Sequence, residues 1–308
     1  MYEVYLVFSF QFSVISFQLL VFCFQFSVFS TIMKKNVLDY EEFQEMAPFL
    51  KSRLGLYLTK KFFYLMDMDK VNQIHSTHFD LRGSDFTTAI MNDPLMDVRY
   101  EVHNREILND LPEGAFITVS NHPIGSLDGI ILIDIFASLR QDFRLMVNEI
   151  LAHITALRDN FIPVEPKKDK TQNGNPKNVN GIRLAFSHIK DGHPMGFFPS
   201  GSMSFYNKKQ KRVVDRPWTH SIIRLIRKVN VPVIPVYFDC LNSKLFYNLG
   251  RISWKIRQFW VGIEAFNKKG QTLHVHIGQP ILPETIQTKP NDTELARFLY
   301  ESTYNCKI

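Results

Sequence analysis

Cysteine is scarce in this chain: of 308 residues only Cys23, Cys240 and Cys306 carry a thiol. Three thiols, far apart in the sequence, offer neither a disulfide framework nor the close pairs that hold a metal, and they fit a reducing, cytoplasmic setting. A strong excess of one charge is also missing. The net charge is +6, from 36 basic and 30 acidic residues. Such a mild basic excess suits an anionic membrane surface or acidic substrates, and without a recognition motif it gives no case for nucleic acid. No G-x-S-x-G pattern surrounds Ser200 or Ser202, which argues against a serine hydrolase.

The first 32 residues lack charge almost entirely, Glu3 being the exception. Val4 to Ile32 is long enough to span a bilayer, and Lys34 and Lys35 behind it would hold the rest of the chain on the cytoplasmic side. Yet Phe10-Gln11-Phe12-Ser13-Val14 recurs as Phe24-Gln25-Phe26-Ser27-Val28, a low-complexity repetition. Met33-Lys34-Lys35-Asn36 reads as a natural beginning. The expectation is that the functional protein starts at Met33, with a signal anchor over 1–32 as the alternative.

What is present after residue 33 is ordinary globular composition, with 45% hydrophobic and 21% charged residues. Residues 33–100 read as a helical arm. Leu50, Leu54, Tyr57, Leu58, Phe62 and Leu65 recur near helical spacing between Lys51, Arg53, Lys60 and Lys61. That pattern suits either a core-facing helix or one lying on a bilayer. Residues 67–100 show no clear pattern and read as a connection.

Over 101–285 the pattern is α/β. The strand candidates are Ala115–Val119, Phe143–Val147, Met195–Phe198, Val233–Phe238 and Thr272–Ile277. Helix candidates at Gly129–Leu139, Glu149–Leu157, Val179–Lys190 and Trp218–Val229 alternate with them. The expected architecture is a mixed central sheet flanked by helices on both faces, with the N-terminal helical arm ahead of it. Residues 167–178 form a polar loop, and 286–308 hold a closing C-terminal helix.

The chemistry concentrates in Asn121-His122-Pro123-Ile124-Gly125-Ser126-Leu127-Asp128-Gly129. A strand delivers a histidine into a turn, and an acid follows. Imidazole takes a proton from a hydroxyl near neutral pH, and a carboxylate behind it fixes the tautomer. Alone, a turn with a capping acid is the plainer reading. Three further blocks follow in order: Asn160-Phe161-Ile162-Pro163-Val164, Gly196-Phe197-Phe198-Pro199-Ser200-Gly201-Ser202-Met203-Ser204, and Val231-Pro232-Val233-Ile234-Pro235-Val236.

With these four blocks, roughly residues 110–285 resemble the glycerolipid and lysophospholipid acyltransferase superfamily. That resemblance implies transfer of a fatty acyl group from acyl carrier protein or acyl-CoA to a hydroxyl, at a membrane surface and without metal or bound organic cofactor. It implies His122 as general base and Asp128 as its orienting acid. The Ser200-Gly201-Ser202 loop would shape the oxyanion and acceptor pocket.

Two departures from the superfamily stand out. Five residues separate His122 from Asp128, where four are usual. On a continuous helix the extra residue would swing the acid about 100° away. The pair therefore converges only if Pro123-Ile124-Gly125 is irregular and a helix starts near Ser126, itself a good N-cap. The usual Glu and Arg of the third block are Ser200 and Met203 here, so a glycerol-phosphate head loses its partners.

Both departures resemble the hemolysin-like branch, which acylates N-acylated ornithine or glycine lipids. That branch carries a V-N-E/D segment, matched by Val147-Asn148-Glu149. Asn121 and Asn148 are accordingly expected near substrate, together with Ser200, Gly201 and Ser202. The expected activity is O-acylation of a lyso-aminolipid on the cytoplasmic face of the inner membrane. The alternatives are 1-acylglycerol-3-phosphate acylation or a non-catalytic membrane-binding protein of the same fold.

Elsewhere, His274 and His276 alternate on one strand, but no third metal ligand is evident and a solvated strand edge is the expected setting. Asn207–Arg212 is a basic cluster that reads as a solvated loop, or as a contact for acyl carrier protein or anionic lipid.

Overall fold

A computed structural model describes residues 34–164, 176–253, 257–258 and 260–307. The apolar segment 1–32 and most of the polar 167–178 loop lie outside the described residues.

The arm opens with α1 (Tyr40–Met46) and α2 (Arg53–Leu65), separated by a 3-10 turn that Pro48 starts. Phe43, Ala47, Leu50 and Phe63 form a small core of their own. Gly55 permits the two pieces to meet, because a β-carbon there would lie 2.1 Å from the Leu50 carbonyl oxygen. The segment 67–100, patternless in sequence, folds into α3 (Met68–His78) and α4 (Gly83–Asn92). Their short apolar sets, Ile74 on one and Phe86, Ile90 and Met91 on the other, are too brief for a visible period. Both helices nonetheless join the main core.

Strand β1 (Arg99–His103) follows, then β2 (Ile117–Ser120), α5 (Ser126–Ala137), β3 (Arg144–Asn148) and β4 (Phe161–Val164). The Glu149–Leu157 helix expected between β3 and β4 is two 3-10 turns, 149–153 and 155–160. Next come α6 (Pro176–Lys190), β5 (Met195–Phe197), the hairpin β6 (Phe205–Asn207) and β7 (Arg212–Val214), and α7 (His220–Val229). The chain closes with β8 (Val233–Asp239), α8 (Lys244–Ile252), α9 (Val261–Phe266), β9 (Thr272–Ile277), α10 (Pro283–Gln287) and α11 (Asp292–Tyr304).

The main sheet has seven strands in the order β1-β9-β8-β2-β5-β3-β4. Neighbours are parallel except at β8–β9, so β1 and β9 run against the other five. Strand β2 is central and buried at every position, which is why it reads as one apolar, β-branched run. One face of the sheet packs on α4 and α5, the other on α6, α7 and α11. The architecture is the mixed, helix-flanked sheet that the sequence predicts.

Helix α7 shows why the outer layer forms. Ile222, Ile223, Ile226 and Val229 recur at helical spacing and are buried, while Arg224 and Lys228 face out. Burial of each such side chain contributes roughly 1.5–3 kcal/mol. Asn230, in left-handed backbone, ends the helix. Helix α5 is buried nearly all round, as its length of apolar sequence demands. Its one deeply placed acid apart from Asp128 is Asp134, which accepts hydrogen bonds from Thr87, Thr88 and Tyr100. These hydroxyls tie α4 and β1 to α5.

One expectation is corrected here: His274 and His276 do not sit on a sheet edge, because β9 lies between β1 and β8. The basic 207–212 cluster is the exposed turn of the β6–β7 hairpin, a solvated loop as the sequence predicts.

Candidate active site

In an open α/β sheet, ligands gather where strands end at their carboxyl termini. β2 and β5 are parallel neighbours, so the chain leaving β2 at Asn121-His122 meets the chain leaving β5 at Phe198-Pro199-Ser200. Asn121 fixes the first exit. Its amide donates to the Phe238 carbonyl at 3.0 Å and accepts from the Phe238 N–H at 2.7 Å, which joins β2 to β8.

The turn after His122 is irregular, and the reason is Gly125. Its φ of +101° is a conformation that side chains rarely adopt. Helix α5 then starts at Ser126, with Gly125 rather than Ser126 in the capping position. Asp128 falls in the first helical turn, where an acid is favoured by the exposed N–H groups and the helix dipole. Its Oδ2 accepts from the N–H of Ile124 at 3.0 Å and of Gly125 at 2.9 Å. The same oxygen meets His122 Nδ1 at 2.9 Å. The extra residue between histidine and acid is thus absorbed by the turn, and the pair converges.

That arrangement fixes the imidazole. A carboxylate oxygen accepts, so Nδ1 carries the hydrogen and Nε2 presents its lone pair. Among the described residues Nε2 has no hydrogen-bond partner. The ring also stacks on Phe198, with centroids 4.0 Å apart. Asp128 is fully buried, whereas the His122 side chain keeps 18% of its surface exposed. Base accessible and acid sealed is the order that proton abstraction from an incoming hydroxyl requires.

A second acid, Asp215, lies against the histidine and was not singled out from the sequence. Its Oδ1 accepts from the His122 backbone N–H at 3.2 Å and from the Ser204 hydroxyl at 2.5 Å. The N–H of Ser204 in turn donates to the His122 carbonyl at 2.8 Å. Asp215 thereby clamps the first and third sequence blocks together. Burial pushes its carboxyl above the usual range, against the pull of the Ser204 hydrogen bond and of His122.

More unforeseen groups brace the turn from the chain between β8 and β9. Asn242 donates to the Ile124 carbonyl at 2.9 Å, and the Tyr247 hydroxyl donates to the Pro123 carbonyl at 3.2 Å. Arg257, buried, donates to the Ser204 carbonyl at 3.0 Å. Burial lowers its affinity for its proton, with Arg216 adding to the effect. The only local signals were polar residues inside otherwise apolar stretches.

The third block forms a tight loop. Gly201 donates its N–H to Phe198 and has a φ of +63°. Ser200 is buried, and its hydroxyl donates to the Ser202 carbonyl at 2.7 Å. The Ser202 hydroxyl is buried with no partner among the described residues. The Gly201 N–H is thus spent within the loop itself. Asn148 stands at the carboxyl end of β3, paired in register with Val164 on β4. The structure therefore groups His122, Asp128, Asn121 and the 200–202 loop, and sets Asn148 at the end of a strand two places from β2.

The family described as "Acyltransferase" matches residues 42–308. The chain is 27% identical over 249 residues to a lyso-glycine lipid O-acyltransferase of Bacteroides thetaiotaomicron, covering 78% of this chain and 86% of that one. A lyso-glycine lipid O-acyltransferase of Phocaeicola vulgatus is 26% identical over 249 residues, covering 78% and 84%. A solved structure, the 1-acyl-sn-glycerophosphate (LPA) acyltransferase PlsC from Thermotoga maritima, aligns with a TM-score of 0.44 and 16% identity over 80% of this chain and 92% of that one.

Proposed function

The chain belongs to the acyltransferase family, and from that premise we propose that it moves a fatty acyl group onto the hydroxyl of a lyso-aminolipid, with His122 as general base. The observation that carries this reading is the 2.9 Å contact between His122 Nδ1 and Asp128 Oδ2, which leaves Nε2 as the proton acceptor.

The steps follow from that tautomer. Nε2 takes the proton of the acceptor hydroxyl as its oxygen attacks the thioester carbonyl carbon. Asp128 offsets the positive charge that grows on the ring. The N–H groups of Ser200 and Ser202 receive the oxyanion. When the tetrahedral intermediate collapses, the carbon–sulfur bond breaks and the imidazolium returns its proton to the departing thiolate. The donor is a thioester of acyl carrier protein or coenzyme A.

Relatives named lyso-glycine lipid O-acyltransferase support an aminolipid acceptor. The serine at 200 and methionine at 203 agree with it, because they supply no charged partner for a glycerol-phosphate head. Asn121 contributes by holding His122, and Asn148 is the candidate contact for the acceptor on the far strand. The test is a direct competition. Purified protein given one acyl donor should acylate a lyso-glycine lipid faster than lysophosphatidate. Faster turnover of lysophosphatidate would overturn the acceptor assignment.

The partner surface is the membrane, on its cytoplasmic side. Among the described residues no helix is long and apolar enough to cross a bilayer. Helix α2 instead exposes Leu54, Tyr57, Leu58 and Leu65 on one face at helical spacing, with Lys61 among them and Arg53 and Lys60 along one side. An exposed apolar face interspersed with cations suits a helix lying in the headgroup layer of anionic lipid, where lysine reaches up to the headgroups.

A further inference from the structure

Strands β1 and β9 bring four ligand-type side chains onto one face of the sheet. Their parallel register sets Glu101 beside His274 and His103 beside His276. Alternate residues of a strand share a face, so all four stand on the same side. His103 Nε2 lies 3.0 Å from His274 Nδ1, and His274 Nδ1 lies 3.6 Å from a Glu101 carboxylate oxygen. One ligand atom from each of Glu101, His103 and His274 falls within 4.8 Å of the others. The sequence shows two pairs, Glu101 with His103 and His274 with His276, and only the parallel register brings the pairs together across 171 residues.

We propose that Glu101, His103 and His274 form a binding site for a divalent metal ion of the zinc class. A tetrahedral ion with bonds of 2.0–2.1 Å holds its ligand atoms about 3.3 Å apart. The separations of 3.0 and 3.6 Å from His274 Nδ1 bracket that spacing, and the third ligand pair lies within 4.8 Å, within reach of side-chain adjustment. Two imidazoles and one carboxylate are also a donor set that zinc accepts, with the fourth position left to water. In the metal-free protein a single proton between the two imidazole nitrogens does the same bridging work, and the ion replaces it.

The site is supported from behind. His276 stacks on His103 with centroids 4.3 Å apart and planes 12° from parallel, which holds that imidazole in orientation. Its Nε2 is buried and has no hydrogen-bond partner among the described residues. Asp239, opposite His274 across the β8–β9 ladder, is engaged by Lys307 at 2.7 Å and stays a charged neighbour rather than a ligand. Tyr237 stands opposite His276 in the same ladder. None of these residues belongs to the His122 site, so the inference stands or falls apart from the acyl-transfer reading.

Calorimetric titration of the untagged, chelator-stripped protein with zinc should show one ion bound per chain. His274→Ala should weaken that binding by at least about 100-fold, the scale on which coordination shells govern metal affinity. His193→Ala, a histidine paired with Asp142 elsewhere, should leave it unchanged. No binding by the parent chain, or equal binding by parent and His274→Ala, would overturn the proposal. Diethyl pyrocarbonate labelling of the parent protein gives a second reading that needs no variant. Zinc should protect the peptides holding His103 and His274, and labelling unaffected by zinc would sink the site.

Discussion

His122 and Phe198 lie ring against ring, their centroids 4.0 Å apart and their planes 24° from parallel. Phe198 follows β5 and His122 follows β2, so the stack joins two strand exits that the sheet already makes neighbours. The imidazole is held at one edge by Asp128, across its face by Phe198, and through its backbone by Asp215. Its remaining nitrogen is left to do chemistry.

His122→Ala removes the base and leaves every backbone restraint in place. Acyl transfer should fall by about 10²–10⁴-fold, the range set by general-base catalysis. The melting temperature should change little, since the side chain is part exposed. Steady-state rates and thermal unfolding, measured on the same purified variant, check both halves. An active variant would refute the assignment of the base.

Asp128→Asn keeps the shape of the acid but places an amide where a carboxylate accepted three hydrogen bonds. The amide oxygen can replace Oδ2, but the NH2 group then fills the buried Oδ1 position, which has no partner among the described residues, and a neutral amide no longer secures the tautomer of the imidazole. We expect kcat to fall by about 10²-fold or more while KM for the acyl donor stays near its original value. Loss of stability by about 1–3 kcal/mol should accompany it, from the stranded NH2 group.

Gly125→Ala tests the turn itself. The φ of +101° strains any side chain, and the new β-carbon would lie 2.8 Å from Met203 Sδ. The strain is worth about 1–3 kcal/mol. A misplaced base costs on the order of 10²-fold in rate. Denaturant unfolding and kcat should therefore both decline, and rate should suffer more than stability alone explains.

Asp215→Asn should separate stability from activity. Burial raises the carboxyl's folded pKa above its unfolded value. Such a group contributes stability that is fully present below the unfolded pKa and lost as pH rises through the folded pKa. Asparagine keeps an acceptor for the His122 N–H without a buried charge. The variant should match or exceed the parent in melting temperature at neutral pH. That advantage should shrink as pH falls below the carboxylate range. Its kcat should drop, because the charge beside the developing imidazolium is gone. A melting temperature that is lower at every pH would contradict the sign.

Leu58→Glu on α2 should weaken binding to vesicles of anionic lipid by roughly tenfold, since it trades an exposed apolar contact for a repelled charge. Turnover of a detergent-dispersed acceptor should be retained. Vesicle co-sedimentation and the dispersed assay together distinguish lost docking from lost chemistry.

Much of this was legible in the chain, for reasons that differ by element. β2, β5 and β8 lie in the core, and a buried strand must be apolar, so composition alone marks them; β9 is marked by alternation, with Leu273, Val275 and Ile277 buried between polar residues. β1 was not legible because Arg99–His103 is a short edge strand, and its alternation, with only Tyr100 and Val102 turned to the core, spans too few positions to stand out. The Glu149–Leu157 stretch carries helix-forming residues, yet it folds as two 3-10 turns between strands that lie side by side. At the site, His122 and Asp128 are six positions apart, and local spacing brings both to notice. Asp215, Asn242, Tyr247 and Arg257 reach the same turn from distant segments. Only the folded chain reveals that they surround it.

Asn121 bonds the Phe238 backbone through both ends of its amide, as one strand would bond another. The residue that heads the chemical motif is thereby committed to architecture. Selection for a new acceptor can act on the surrounding loops while that position stays fixed. A change at 121 would register as a loosened scaffold, with every substrate affected alike, rather than as an altered preference among them.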